Sequence, residues 1–307
     1  MPPQLFLVGP TASGKTAVAL EIARRMPVEV ISLDSMSVYR GMDIGTAKPT
    51  PGERAQVPHH LIDVAEPTEP FSVGKYLLMA KGVAAELDSR GKRVLFVGGA
   101  PLYLKALVSG LFDGPSADPA FRSELERRAQ SEGTLALHEE LRAVDPEAAG
   151  KIHPNDLKRI VRALEVFHKT GKPLSRQQTQ WPQDVVGQEL RIAGLAWDRA
   201  ELYRRIEQRV DRMFAAGLVE EVRGLLARHG RLGREASQAL GYREVLAYLE
   251  AGTDLTETVS LVKRNTRRMA KRQLTWFRSF EQIRWFEMTE VSVPANVAEK
   301  IARYYEG

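Results

Sequence analysis

The chain has 307 residues, a formal net charge of +5 and no cysteine, which excludes disulfides, thiolate metal sites and cysteine nucleophiles. No apolar run reaches the length of a membrane span, and an apolar strand pattern begins almost at the N-terminus. We therefore expect a cytoplasmic protein with no cleavable signal and no membrane contact. The mild positive charge alone says little about a polyanionic partner, because the placement of charge matters more than its sum.

Residues 9–16 form the strongest local motif, a glycine followed by four residues and then Gly-Lys-Thr, which is the spacing of a phosphate-binding loop. An apolar strand pattern precedes it at residues 5–8, and a helical pattern follows at residues 17–23. In such a loop, backbone N–H groups at the positive end of a helix bind a di- or triphosphate. Lys15 adds a charge, and the Thr16 hydroxyl is placed to ligate Mg²⁺. The motif predicts a diphosphate-binding site but does not show which molecule carries the diphosphate.

The alternation of strands and helices continues to about residue 110, as in a parallel α/β sheet. Further strands are predicted at residues 28–33, 59–64 and 93–97, a long loop at 40–49, and a helix capped by Ser72 at 72–90.

The pattern then changes to amphipathic helices without a convincing strand, between linker-like segments at residues 114–119 and 177–182. A strand at 190–195, helices over 200–280 and a last strand at 283–286 follow. We therefore predict an α/β fold with a phosphate-loop NTPase-like parallel sheet core, formed by residues 1–113 and 186–307. An all-helical insertion domain is expected at residues 114–185.

A second acid, of the kind that helps ATP-hydrolysing phosphate-loop proteins hold Mg²⁺, is missing after the strand at 93–97, which ends Gly98-Gly99-Ala100. Asp34 follows the strand at 28–33 and is placed at the ligand-binding edge of a parallel sheet. It could hold Mg²⁺ through water, accept a proton from a nucleophile, or simply cap a turn.

Two basic clusters lie outside the loop. In the insertion, Asn155 is expected to cap a helix on which Lys158, Arg159 and Arg162 fall off the apolar stripe. Residues 263–278 carry seven cations, no acid and interleaved aromatics. A solvated cationic face is the ordinary explanation, but the aromatics favour a nucleic-acid backbone as the partner.

Blocks of sequence along nearly the whole chain, taken together, resemble the tRNA dimethylallyltransferase family. They lie at residues 9–16, 34–39, 41–49, 98–103, 153–156, 162–166, 205–209, 241–243 and 271–276. The resemblance implies an enzyme that alkylates N6 of the adenosine at position 37, next to the anticodon of a tRNA. Its donor would be dimethylallyl diphosphate, its cofactor Mg²⁺, and its partner the anticodon stem-loop. We expect it to act as a monomer.

The resemblance also implies residue roles. Lys15, Thr16 and Arg209 would act on the leaving diphosphate, Thr16 as the metal ligand, while Asp34 would take the proton of the adenine amino group. The diphosphate would be bound by Gly9, Pro10, Thr11, Ala12, Ser13, Gly14, Lys15, Thr16 and Arg205. The tRNA would be contacted by Asp34, Ser35, Met36, Ser37, Ala100, Arg122, Lys158, Arg159, Ile160, Val161, Arg162, Gln238, Gly241, Tyr242, Arg243, Lys271, Arg272, Gln273, Trp276 and Arg278.

The chain departs from the family pattern at a few substrate contacts. Ala100, followed by Pro101, stands where Thr is usual, and Ser37 stands where Gln is common. Two other functions remain open: a small-molecule kinase that uses ATP, and an RNA-binding protein with a vestigial phosphate loop. The intact Lys15 and Thr16 argue against the second, and a kinase leaves the basic aromatic segment unexplained.

Overall fold

The computed structural model describes residues 4–110, 114–177, 189–252 and 254–307. The chain divides into two compact units, one made of Met1–Val108 and Gly187–Gly307 and the other of Ser109–Val186. The first unit contains the sheet, and the described part of the second contains helices and no strand. Among the helices in the described ranges, none has the combination of length and apolar character that a bilayer span requires.

The sheet of the first unit has six strands, and every neighbouring pair is parallel. The strands are β1 (Gln4–Val8), β2 (Val28–Leu33), β3 (His59–His60), β4 (Arg93–Gly98), β5 (Leu190–Trp197) and β6 (Ile283–Met288), in the spatial order β3-β2-β4-β1-β5-β6. The predicted α/β class with a parallel core is confirmed. The strand expected over residues 59–64 is limited to His59 and His60, since the left-handed backbone of Leu61 and Asp63 ends the extended segment.

Apolar cores cover both faces of the sheet because successive side chains of a strand point to opposite faces. On β1, Phe6 and Val8 belong to one core, while Leu5 and Leu7 belong to the other. Burial on both sides explains why these strands are apolar without a break, as is usual for parallel sheets covered by helices.

The helices of the sheet-containing unit complete these layers. They are α1 (Lys15–Ala23), α2 (Pro51–Gln56), α3 (Val73–Ser89), α4 (Pro101–Ser109), α10 (Arg199–Ala215), α11 (Leu218–His229), α12 (Arg234–Ser237), α13 (Tyr242–Ala251), α14 (Leu255–Phe277) and α15 (Pro294–Glu306). The predicted N-cap of α3 is confirmed, because the Ser72 hydroxyl accepts a hydrogen bond from the Lys75 backbone N–H.

The carboxyl ends of three central strands finish at one level. Gly98 of β4 is in register with Val8 of β1 on one side and with Leu33 of β2 on the other. A Cβ at position 98 would lie 2.0 Å from the Leu33 carbonyl oxygen, so only glycine allows the two strands to approach this closely. The residues that follow these ends, from Gly9 and from Asp34, therefore start side by side.

The second unit is formed by α5 (Pro119–Glu132), α6 (Thr134–Val144), α7 (Pro146–Lys151), α8 (Leu157–Thr170) and α9 (Leu174–Gln177). Asp156, not the expected Asn155, caps α8, because its carboxylate accepts the Arg159 backbone N–H. The closing linker expected at residues 177–182 lies outside the described residues from position 178 onwards.

A buried carboxylate fastens α5 to α8. The side chain of Glu165 has no solvent exposure and accepts hydrogen bonds from the Arg122 guanidinium at 2.8 and 2.7 Å and from Arg162 at 2.5 Å. Burial alone would raise the pKa of Glu165, but Arg122, the backbone N–H of Asp118 and Arg162 together lower it to about 2.

We predict that Glu165→Gln destabilises this helical unit at neutral pH and removes its sensitivity to acid. A carboxyl whose pKa is lower in the folded state stabilises the fold above its ordinary pKa of 4.5, and that contribution is lost as the pH falls towards about 2. It amounts to about 3 kcal/mol at most. Hydrogen exchange of α5 and α8 at pH 7, together with thermal unfolding from pH 7 to pH 3, measures both effects.

The matched control is Glu124→Gln on α5, which breaks only an exposed ion pair with Arg127. Such pairs contribute little to stability, so this variant should keep the protection of the wild type. Equal exchange in the two variants would show that the buried cluster does not hold the helices together.

Candidate active site

A cavity of about 730 Å³ opens at the carboxyl edge of the sheet, where β1, β2 and β4 end. Thr11 to Thr16 line it from the loop after β1, and Asp34 to Ser37 line it from the turn after β2. Other walls are provided by residues 45–49, Gly98–Ala100, Arg205, Arg209, Gly241 and Gln273. The cavity thus brings together the phosphate loop, the acid after β2 and cations of α10.

The phosphate loop is held in its shape by contacts from distant segments. Ala12 has a left-handed backbone with φ of 64°, and its carbonyl oxygen accepts a hydrogen bond from Arg205 Nε at 2.9 Å. Trp197 donates through its indole N–H to the Ser13 carbonyl oxygen at 2.9 Å. The Arg205 guanidinium in turn lies 4.2 Å from the centre of the Trp197 ring. The loop is therefore preorganised at the N-terminus of α1, where backbone N–H groups attract an anion.

Lys15 is turned into the loop that carries it. Its Nζ donates to the carbonyl oxygens of Gly9 at 3.0 Å and Pro10 at 2.7 Å. Burial and, to a smaller extent, the charge of Arg209 lower the pKa of Lys15 to about 7, although Asp34 opposes the shift. An anion arriving next to this ammonium favours its charged form.

Three arginines of α10 share one helix face, since positions 205, 209 and 212 are separated by four and then three residues. Burial lowers the pKa of Arg209 despite the opposing charge of Asp34, and Arg212 also lowers it. Arg212 is exposed, lines the main cavity and also lines a neighbouring one of about 340 Å³ next to Thr16. Sequence reasoning missed Arg212, although its helical spacing from Arg205 and Arg209 is visible in the chain.

Asp34 is fixed by its own turn. Its Oδ1 accepts the backbone N–H groups of Met36 at 2.8 Å and of Ser37 at 3.2 Å. Oδ2 has no hydrogen-bond partner among the described residues, and Asp34 lines the cavity. One oxygen therefore serves the turn, and the other is available to a ligand.

The residues present fit a Mg²⁺ ion whose coordination comes mainly from phosphate oxygens and water and only in small part from the protein. Within the described ranges, no group of three or more His, Asp or Glu side chains could hold a metal by itself. Thr16 and Asp34 both line the cavity and offer oxygen atoms. Mg²⁺ typically takes one or two protein oxygens together with phosphate oxygens and water, which this donor set allows.

The start of the cavity wall at residues 45–49 is held in place by Glu221 of α11. The Glu221 carboxylate accepts the backbone N–H groups of Asp43 at 3.0 Å, Ile44 at 2.8 Å and Gly45 at 3.3 Å, and the Tyr242 hydroxyl at 2.5 Å. A Cβ on Gly45 would lie 2.4 Å from the Tyr242 ring, so this contact requires glycine.

Several residues expected to contact RNA are committed to the protein interior instead. Ile160 and Val161 belong to the core of the helical unit, and Tyr242 is fully buried against the wall at residues 45–49. The Ser37 hydroxyl is buried and hydrogen-bonded to Ser32 Oγ at 2.8 Å. These four side chains are enclosed, so their contact with RNA stays a prediction that would have to be met by their backbone, as at Ser37, which lines the cavity.

Other residues in that set have protein partners or line the cavity. Arg122 and Arg162 are bound to Glu165, and Arg243 pairs with Glu244 at 2.5 Å. Ser35, Met36, Ala100, Gly241 and Gln273 line the cavity. Lys158, Arg159 and Gln238 are exposed, and Arg159 also pairs with Asp156 at 3.4 Å.

α14 presents a cationic outer face. Two of its cations are paired with acids of α10, Lys263 with Asp211 at 2.6 Å and Arg267 with Glu207 at 2.5 Å. The remaining basic side chains and one aromatic are exposed: Arg264, Arg268, Lys271, Arg272, Trp276 and Arg278. None of these basic residues has an ion-pair partner in the part of the chain that the structure describes. We call these six residues the basic face of α14.

Fold and site together define a phosphate-loop α/β protein with an electropositive anion cavity. Comparison with known proteins identifies the family within this class. A family model described as IPP transferase matches residues 37–280, and one described as isopentenyl transferase matches residues 4–63.

Individual relatives agree with the family models. The chain is 51% identical to a tRNA dimethylallyltransferase of Geobacter sulfurreducens over 283 residues, covering 92% of this chain and 91% of the relative. It is 45% identical to that of Geobacillus thermodenitrificans over 304 residues, covering 99% and 96%.

Solved structures give the same result. The fold matches a tRNA isopentenylpyrophosphate transferase of Bacillus halodurans with a TM-score of 0.72 and 42% identity, covering 100% of this chain and 97% of that one. It also matches a eukaryotic dimethylallyltransferase acting on tRNA with a TM-score of 0.82 and 26% identity, covering 98% and 78%. The chain belongs to the tRNA dimethylallyltransferase family.

We predict that inorganic diphosphate binds with proton uptake between about pH 7 and pH 9. With a pKa of about 7, Lys15 is partly neutral in this range, and the bound anion favours its protonated form. Affinity should therefore fall as the pH rises above 7. Calorimetry in buffers of different ionisation enthalpy measures the uptake directly.

Lys15→Arg is the control, because a guanidinium stays charged throughout this range. It should bind diphosphate without proton uptake from the side chain at position 15. Equal proton uptake by the wild type and by Lys15→Arg would contradict a partly neutral Lys15, since the diphosphate contributes the same proton exchange to both.

Proposed function

We propose that this chain transfers the dimethylallyl group of dimethylallyl diphosphate to N6 of adenosine 37 of a tRNA and releases diphosphate. One observation carries the proposal: the phosphate loop, the free oxygen of Asp34 and the half-buried Arg209 line one cavity. An electropositive anion site next to an unpaired carboxylate oxygen suits a reaction that expels diphosphate and removes a proton.

The leaving group is where the protein can lower the barrier most. The adenine amino nitrogen is a weak nucleophile because its lone pair is delocalised into the ring. An allylic carbon tolerates positive charge, so cleavage of the carbon–oxygen bond can run ahead of attack. The N–H groups of the phosphate loop, Lys15 and Arg209 stabilise the charge that develops on the departing diphosphate.

Mg²⁺ bound at Thr16 would supply further neutralisation of the diphosphate. Arg205 holds the phosphate loop through the Ala12 carbonyl oxygen, packs on Trp197 and lines the cavity, where it would also contact the diphosphate. Arg212 adds a cation at the rim of the cavity.

Asp34 acts on the acceptor. Its Oδ1 is held by the turn, so Oδ2 is the atom that accepts the amino proton as the new nitrogen–carbon bond forms. The adenine has to leave the anticodon-loop stack to reach this oxygen, as bases do in other modifying enzymes. Closure of the cavity by the RNA also keeps water from the donor.

The basic face of α14 supports the choice of RNA as acceptor. Its exposed cations have no ion-pair partner among the described residues, which is the arrangement expected for phosphate contacts. Lys158 and Arg159 offer exposed cations in the helical insertion, whose sequence-based boundaries are 114–185. The relatives give no support to the kinase alternative.

We predict that Asp34→Asn lowers single-turnover prenyl transfer to an anticodon stem-loop by about 10²–10⁴-fold, because asparagine cannot accept the proton. Binding of dimethylallyl diphosphate should change little. Transfer is followed by mass spectrometry of the RNA over a series of Mg²⁺ concentrations. Recovery of the wild-type rate at high Mg²⁺ would make Asp34 a metal-site residue instead of the base.

We also predict that Arg272→Ala weakens RNA binding and flattens its salt dependence. Each lost phosphate contact should reduce the slope of log affinity against log salt concentration by about 0.7–0.9. Arg223→Ala on α11, which breaks an exposed pair with Glu220, is the matched control and should keep the slope. An unchanged slope for Arg272→Ala would make the basic face an ordinary solvated surface.

A further inference from the structure

Gln273 of α14 is hydrogen-bonded to both sides of the cavity floor. Its Oε1 accepts the backbone N–H of Thr11 in the phosphate loop at 2.9 Å. Its Nε2 donates to the carbonyl oxygen of Gly99, after β4, at 2.7 Å. One side chain therefore links α14, the phosphate loop and the end of a central strand.

Only a side chain with a donor and an acceptor on one rigid group can make this pair of bonds, which is the property of an amide. The surrounding backbone is shaped to admit it. A Cβ on Gly99 would lie 2.8 Å from Gln273 Nε2 and 3.3 Å from the Gly9 carbonyl oxygen. The missing side chain at position 99 leaves the space that the amide occupies.

Gln273 is one part of a brace on the phosphate loop. The Thr11 N–H is held by α14 through Gln273, and the Ala12 carbonyl oxygen is held by α10 through Arg205. α10 and α14 are themselves joined by the pairs Lys263–Asp211 and Arg267–Glu207. Two consecutive residues of the loop thus depend on the packing of these two helices.

The same turn of α14 carries the exposed residues that face outwards. Lys271 and Arg272 directly precede Gln273, and Trp276 lies one turn further on. A ligand that orders these residues also restrains the backbone that carries Gln273. The sequence also predicts Gln273 as an RNA contact, and in this structure its amide lines the cavity and is hydrogen-bonded to Thr11 and Gly99.

We propose that Gln273 is a positioning residue that couples RNA binding on the basic face of α14 to the order of the phosphate loop, so that RNA tightens diphosphate binding. The inference rests on the proposed function, because it assigns RNA to α14 and the donor diphosphate to the loop. By linkage, diphosphate must tighten RNA binding by the same factor.

The test compares diphosphate binding with and without RNA in the full chain. The probe is inorganic diphosphate with Mg²⁺, which does not react, and the RNA is an unmodified anticodon stem-loop at saturation. In the wild type we expect the RNA to lower the Kd of diphosphate by about fivefold or more. In Gln273→Met, of similar length but without the amide, this factor should fall close to one, while the RNA Kd without diphosphate stays within about twofold of the wild type.

Arg272→Ala is the matched control on the neighbouring position. It should weaken RNA binding but keep the full coupling factor once RNA is saturating, and its diphosphate Kd without RNA should be unchanged. Gln273→Glu keeps the acceptor for Thr11 and loses the donor to Gly99, so its coupling factor should be intermediate. It also replaces Gln273→Met as the deciding variant if thermal unfolding shows that the methionine variant is not folded.

The outcomes separate the proposals. A Gln273→Met variant that keeps the coupling factor, or a wild type without coupling, overturns the role of Gln273. Weakened RNA binding with coupling retained identifies Gln273 as a direct RNA contact and overturns it as well. A wild type that couples the two ligands but transfers no dimethylallyl group contradicts the proposed function alone.

Discussion

The register of three parallel strands is the constraint on which the rest of the site depends. β1, β2 and β4 end at one level because Gly98 has no side chain to separate β4 from the Leu33 carbonyl oxygen. The phosphate loop, Asp34 and Gly99 then emerge next to one another without any further adjustment. Open parallel sheets bind ligands at this edge for the same reason.

The site is electrostatically unfavourable on its own, because it brings two cations together where burial disfavours their charged forms. Lys15 and Arg209 lie close together in a partly enclosed cavity, and burial disfavours the charged form of both. Asp34 is the one acid that opposes both shifts. This arrangement is unfavourable until an anion binds next to the two cations. Functional sites often contain such perturbed charges, because the ligand and not the protein supplies the opposite charge.

The sequence predicted those parts of the molecule that are encoded by short motifs or by patterns of neighbouring residues. The phosphate loop and the acid after β2 are short motifs with a strand before them, and the parallel class follows from alternating patterns. The resemblance to a family gave roles that local patterns left open. It also predicted RNA contacts at Tyr242, Ile160 and Val161 without showing that their side chains are buried, because a motif does not reveal which way a side chain points.

The remaining features depend on pairs of residues far apart in the chain. Gln273 meets Thr11 across 262 positions, and Glu221 meets the loop at residues 43–45 across more than 170. Neither pairing leaves a pattern in the sequence near either partner. Arg122 and Arg162 look like free cations until the fold places both beside Glu165.

Glu221 is bound in the way that the phosphate loop is expected to bind a phosphate. Three consecutive backbone N–H groups at residues 43–45 surround a carboxylate, much as the phosphate loop is built to surround a phosphate. The protein therefore carries a second anion cradle, which reaches the cavity only through Gly45, and it fills this cradle with its own carboxylate. The filled cradle is a permanent wall, whereas the other becomes complete only with its ligand, so the two sides of the cavity should differ in how readily they open locally.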